Sequence, residues 1–232
     1  MAPCSRPAFV LLPGAGSTPW YWHRVERRLR ALDYGVVAVH LPCEDDTAGL
    51  AEYADTVVTT VGEERDVVVV AHSFGAFTAP LVCGRLPVRA LVLVAPMIPV
   101  AGESGSEWWG RTGQPEAQRD SALRDGRDPD AEPGLRELFL HDLPDDLANA
   151  ALRHGECEQS STPFEQPWPA PAWPDVPTRV VAFRHDRLFP PTFQHRIAGE
   201  RLAVTPDEVD GGHMAMLGNP VELTHLLVSY NP

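Results

Sequence analysis

The stretch Val67-Val68-Val69-Val70-Ala71-His72-Ser73-Phe74-Gly75 decides how the chain reads. Four β-branched residues in a row suit a strand buried on both faces, as in a parallel sheet. The following segment, Ala76–Leu86, carries helical spacing, so Ser73 falls on the turn from strand to helix. A serine on such a turn is held in a strained backbone conformation, with Oγ projecting above the sheet. It also faces the N-terminus of a helix whose dipole favours developing negative charge. Small residues two before and two after it, Ala71 and Gly75, let strand and helix approach closely. The competing reading is an ordinary turn serine ahead of a helix; the four-valine strand in front favours a nucleophile.

Working outward, further short apolar runs stand at Phe9–Leu12, Val36–Val39, Leu91–Ala95 and Arg179–Phe183. Helical spacing appears at Trp20–Leu32, Leu50–Val61, Pro191–Leu202 and Val221–Val228. Strands alternating with helices imply βαβ units and a mostly parallel sheet flanked by helices. The alternation breaks after Pro96. Residues 103–178 hold no convincing strand, only helix-like Leu135–Leu140 and Leu147–Leu152, then six prolines between 163 and 177. Proline there blocks both helix and central strand. The expected organisation is a core of residues 1–100 and 178–232, with residues 101–177 inserted as a mainly helical cap.

Length and composition bound the function. A chain of 232 residues is one domain, or one domain with an insertion. A net charge of −13 repels phosphate backbones and anionic surfaces, so nucleic-acid and membrane partners are not expected. All 19 basic residues are Arg, which removes Schiff-base lysine chemistry and any P-loop lysine. The four cysteines, Cys4, Cys43, Cys83 and Cys157, are widely spaced, and the expectation is ordinary reduced thiols in a cytoplasmic protein. Met1–Pro7 has no apolar signal-peptide core, and no stretch reaches the ~20 apolar residues of a membrane span.

A nucleophilic serine needs a base and the base an orienting acid. Among nine histidines, His213 sits in Gly211-Gly212-His213-Met214, where two glycines make a turn able to bring an imidazole over a sheet edge. Asp186 stands in Arg184-His185-Asp186-Arg187, the segment that comes directly after the Val180–Phe183 run. It is placed to orient His213, although a helix cap or a partner for Arg184 or Arg187 is its bland alternative. Oxyanion donors are expected from the N–H of Phe74 and, in the loop Pro13-Gly14-Ala15-Gly16, the N–H of Ala15. That loop lacks the spacing and the lysine of a phosphate loop.

These residues, in this order, resemble the α/β-hydrolase superfamily. Trp20-Tyr21-Trp22, the short N-terminus and the single cap resemble its small methylesterase and hydroxynitrile-lyase branch. The resemblance covers roughly residues 8–100 and 178–230. Two positions depart from the family pattern. Ala71 replaces the first glycine of Gly-x-Ser-x-Gly, and Pro13-Gly14 replaces the usual His-Gly of the oxyanion loop. The resemblance implies a serine hydrolase with the triad Ser73, Asp186 and His213, acting through an acyl-enzyme on a small, largely apolar ester or lactone.

Trp108, Trp109, Leu138, Phe139, Phe164 and Trp168 are the cap's apolar contributors, whether to the pocket or to cap–core packing. Gly14, Trp108, Phe139, Phe164 and Met214 are expected to contact substrate. Met216 flanks the same turn. No metal and no cofactor are expected; His141-Asp142 and His154…Glu156 give only a weak metal hint. His72 reads as structural. A small-molecule substrate and a monomer or homodimer are expected. A thioesterase, amidase or C–C hydrolase would keep the same triad, whereas lyases of the lysine-dependent kind lack their lysine here. A ligand receptor on the same fold stays open.

Overall fold

The computed structural model describes residues 6–64 and 66–230; Cys4 and most of Met1–Pro7 lie outside them. The element order begins with β1 (Ala8–Leu12), a 3-10 turn (Pro19–Trp22), α1 (His23–Ala31), β2 (Val36–Ala38) and α2 (Leu50–Val61). β3 (Val67–His72), α3 (Gly75–Thr78), a second 3-10 turn (Ala79–Val82) and β4 (Val88–Val94) follow. α4 (Gly105–Thr112), α5 (Gln114–Arg124), α6 (Leu135–Phe139), α7 (Asp145–His154) and α8 (Thr162–Glu165) then lie between β4 and β5 (Thr178–Phe183). α9 (Pro191–Leu202), β6 (Asp207–Val209), α10 (Ala215–Gly218) and α11 (Pro220–Ser229) close the chain.

Among the described residues the six strands pair in parallel throughout, in the order β2-β1-β3-β4-β5-β6. The continuous apolar runs have their reason here, because β1 and β3 are buried along their whole length. Side chains alternate between the two faces. Val10, Leu12, Val67, Val69 and Ala71 pack with α2 and α9, while Phe9, Leu11, Val68 and Val70 pack with α1 and α11. Each buried valine or leucine contributes about 1.5–3 kcal/mol relative to exposure. The expected α/β-hydrolase architecture, a mostly parallel sheet flanked by helices, is what the chain adopts.

Three local expectations are corrected. Ala76–Leu86 is not one helix: α3 lasts four residues and gives way to a 3-10 turn containing Pro80. A proline inside a helix removes an N–H and collides with the preceding turn. The helix dipole behind Ser73 is therefore that of a single turn. The segment at 20–32 likewise opens as a 3-10 turn before α1. Finally, β6 was not visible as an apolar run, since Asp207 and Glu208 are exposed on an edge strand.

The thiol expectation is also corrected. Cys43 and Cys157 form a disulfide across 114 residues, joining the loop after β2 to the segment after α7. Cys83 is a free thiol, and burial pushes its pKa up to about 12. Disulfides persist in oxidising compartments, so the cytoplasmic expectation loses its premise of reduced thiols. Among the described residues, no helix is long and apolar enough to cross a membrane.

Candidate active site

Parallel strands put all their carboxyl ends at one edge, and that edge carries the site. β1 and β3 are neighbours, with Leu12 beside Ala71. The loop after β1 thus lies against the turn after β3, where the strand order departs from sequence order. Ser73 sits on that turn with φ +50°, in the left-handed region that non-glycine residues rarely enter. Backbone bonds hold it there: Ser73 N–H donates to Val94 O at 3.0 Å, and Ser73 O accepts from Ala76 N–H and Met97 N–H. The flanking small residues have steric causes. A Cβ on Gly75 would stand 2.7 Å from Pro13 O, and one on Gly14 would stand 3.0 Å from Ser73 Cβ. Ala71, fully buried in the core, occupies the first motif position without such a conflict.

Asp186 and His213 meet from the ends of β5 and β6. His213 Nδ1–H donates to Asp186 Oδ2 at 2.7 Å, with both side chains essentially buried. The other carboxylate oxygen accepts from Leu188 N–H and Phe189 N–H, both at 2.9 Å. Those bonds fix the acid's orientation and leave Nε2 as the free nitrogen of the imidazole. Gln194, on α9, lies 3.5 Å from Oδ2 and ties the acid loop to Phe183 and Phe189. The bland alternative for Asp186, a pairing with Arg184 or Arg187, does not occur: Arg184 pairs with Glu208 and Glu222, and Arg187 donates to Glu137 O.

His72 is fully buried, and burial holds its pKa well below the ordinary histidine value, so the ring is neutral at pH 7. Its Nε2–H donates to His213 O at 3.0 Å. His72, next to Ser73, therefore fastens the backbone of the loop that carries His213.

Ser73 and His213 line one cavity of about 160 Å³. The cavity's remaining walls are Gly14, Ala15, Ser17, His72, Met97, Trp109, Phe139, Glu156, Phe164, Leu188 and Met214. Neither Ala15 N–H nor Phe74 N–H donates a backbone hydrogen bond among the described residues. Two unspent donors therefore flank Ser73. Ser17 N–H bonds back to Gly14 O, and Gly16 N–H is taken by Gln159, which together shape the loop around Ala15.

Of the residues expected to contact substrate, Gly14, Phe139, Phe164 and Met214 line this cavity. Trp108 does not. It is wholly buried, donates Nε1–H to Ile98 O at 2.9 Å and packs on Phe189 and Phe193; its neighbour Trp109 faces the cavity instead. Leu138 lies elsewhere, while Trp168 and Met216 are buried in the core. Glu156, which the sequence marks only as part of a weak metal hint, is a wall of the cavity, and burial raises its carboxyl pKa. Its partner in that hint, His154, stacks on Trp20 and bonds Thr18. His141 and Asp142 bond the backbone of the loops that carry Asp186 and His213 (3.0 Å to His185 O and 2.6 Å from Gly212 N) rather than converging on a metal position. Among the described residues, no group of three such side chains is arranged to hold an ion.

Residues 9–225 match the model of the alpha/beta hydrolase family. The chain belongs to that family. Norfluorocurarine synthase 1 of a Strychnos species is 24% identical, with 94% of this chain and 93% of the relative covered. Methylesterase 7 of Arabidopsis thaliana is 26% identical, with 95% and 94% covered. Among solved structures, an extracellular alpha/beta-hydrolase from a Paenibacillus species superposes with a TM-score of 0.76 at 20% identity, covering 97% of this chain and 99% of that one. The expectation of a carboxylic ester hydrolase agrees with relatives named esterase and methylesterase.

Proposed function

We propose that the protein is a serine hydrolase of small, largely apolar carboxylic esters, acting through Ser73, His213 and Asp186. One observation carries the reading: the strained Ser73, His213 with its buried partner Asp186 behind it, and Ala15 of the loop after β1 meet at one mostly apolar cavity. His213 Nε2 takes the Ser73 proton as Oγ attacks the ester carbonyl. The carbonyl oxygen becomes an oxyanion held by Ala15 N–H and Phe74 N–H, an interaction stronger in the transition state than in the ground state. His213 then gives its proton to the leaving alcohol. Water, activated by the same imidazole, releases the acid and restores Ser73. Asp186 holds the tautomer that leaves Nε2 as the base and stabilises the imidazolium.

A cavity of about 160 Å³ holds the equivalent of about five waters at ~30 Å³ each, which suits a short acyl group. The test is turnover of p-nitrophenyl esters from acetate to octanoate by the wild type and Ser73→Ala. The expected result is activity greatest on short chains and lost in the variant. Full turnover by Ser73→Ala would overturn the reading.

A further inference from the structure

We propose that the His141–Asp142 turn of the inserted segment is a positioning element for both catalytic loops, so that the cap aligns the triad as well as roofing the pocket. The inference rests on the triad reading above and extends it to residues outside the triad.

The turn follows α6 and reaches both halves of the acid–base pair. His141 Nε2–H donates to His185 O at 3.0 Å, and His185 directly precedes Asp186. Asp142 Oδ2 accepts from Gly212 N–H at 2.6 Å, and Gly212 directly precedes His213. Two adjacent cap residues thus fix the two backbones whose relative placement sets the His213–Asp186 bond. The same segment makes further contacts with each loop. Arg187 Nη1 donates to Glu137 O at 2.9 Å, and the Phe139 ring meets His213 edge-on at 5.5 Å.

Packing explains why this contact demands glycine. A Cβ on Gly212 would stand 2.6 Å from Asp142 Oδ1 and 2.9 Å from His141 Nε2. Real Cβ atoms do not come so close, so the turn presses on the base loop through the space a side chain would fill. Gly212 has no left-handed φ; of the glycine pair, only Gly211 does, at +135°. The second glycine is therefore there for the cap. Phe139 is also a wall of the cavity, so the segment that touches bound acyl groups is the one that braces the triad. Misplacing a catalytic group by about 1 Å can cost on the order of 100-fold in rate.

The experiment reads the His213 Nδ1–H proton by NMR and the rate of Ser73 phosphonylation by a fluorophosphonate, in the full chain. Asp142→Ala and His141→Ala are expected to shift or broaden the Nδ1–H resonance and to slow phosphonylation roughly 10- to 100-fold. Asp142→Asn and His141→Gln keep an acceptor and a donor and are expected to restore both signals. Gly212→Ala should be impaired by itself and partly relieved when combined with Asp142→Ala. Alanine variants that melt earlier yet keep the wild-type resonance and rate would overturn the proposal, leaving the turn a purely structural brace. The same holds if the Asn and Gln variants fail as the alanines do. A wild type that resists phosphonylation, while its Nδ1–H still responds to Asp142→Ala, would remove the hydrolase reading and leave the positioning role standing.

Discussion

The sheet's carboxyl edge and the segment inserted between β4 and β5 contribute to the same cavity by different means. At the edge, each functional group follows a strand within a few residues, and local geometry dictates its neighbours: Ser73 is strained, Gly75 has Pro13 O where a Cβ would sit, and Asp186 accepts two N–H groups from its own loop. In the cap, position is set from a distance. Its first residues are held by a buried ion pair, Arg201 Nη2 to Glu103 Oε1 at 2.9 Å, and the segment between α7 and α8 by the Cys43–Cys157 disulfide. The edge's groups are thus ordered largely within their own loops, with added support at His185 O and Gly212 N–H, whereas the inserted segment takes its place from ties to residues far off in sequence.

The sharpest way to break that contrast is at the edge itself. Asp186→Asn keeps an acceptor for Leu188 and Phe189 but favours the wrong imidazole tautomer, so kcat should fall about 10⁴-fold with the melting temperature nearly unchanged. Steady-state kinetics beside a thermal melt check this. At the cap's root, Glu103→Ala leaves Arg201, 10% exposed, without its carboxylate. Breaking one side of a buried pair costs about 3–5 kcal/mol. For a chain of this size the melting temperature should drop roughly 6–20 °C.

At the cap's other end, Cys157→Ser should cost about 2–4 kcal/mol, because the disulfide restrains a long loop in the unfolded chain. Intact mass after alkylation under denaturing conditions, with and without reductant, should differ by two adducts from this bridge. Cys157 N–H also donates to Gly16 O, so reduction should slow catalysis if the cap steadies the oxyanion loop.

The smallest effect separates the two regions by pH. His72, at the edge, is buried neutral with its pKa well below normal. The unfolded chain takes up that proton near pH 6.5, while the folded chain does so only at much lower pH. Stability from this group is therefore full above about pH 6.5 and falls as pH drops below it, by up to about 1.4 kcal/mol per pH unit. Urea melts between pH 7 and 5 should show this slope, and His72→Gln should flatten it.

The same contrast marks what was legible in the sequence. Strand runs could be read, and Ser73, His213 and Asp186 could be singled out as candidates, because each follows from a local pattern: continuous β-branched burial, small residues beside a turn, paired glycines before an imidazole, an acid just past a strand. Cap chemistry was less accessible. Choosing between Trp108 and Trp109 needs the rotational phase of α4, since neighbours on a helix point about 100° apart. That phase is set by the Ser104–Glu107 capping box and by Gly105, whose Cβ would meet Phe164 and Phe74 at 2.8 and 2.9 Å. The Ser-x-x-Glu signature at 104–107 was present and would have located the helix start. The disulfide had no local signal at all, because its cysteines meet only through the fold. In sequence the pair Gly211-Gly212 shows only a turn ahead of His213; that Asp142, 70 residues away, packs where a Gly212 side chain would stand shows only in the fold.

The account's central claim is an activated Ser73, and intact-mass spectrometry after a fluorophosphonate probe tests it most directly. One adduct on the wild type and none on Ser73→Ala is the predicted result; an unmodified wild type, or an adduct that persists in the variant, would contradict it.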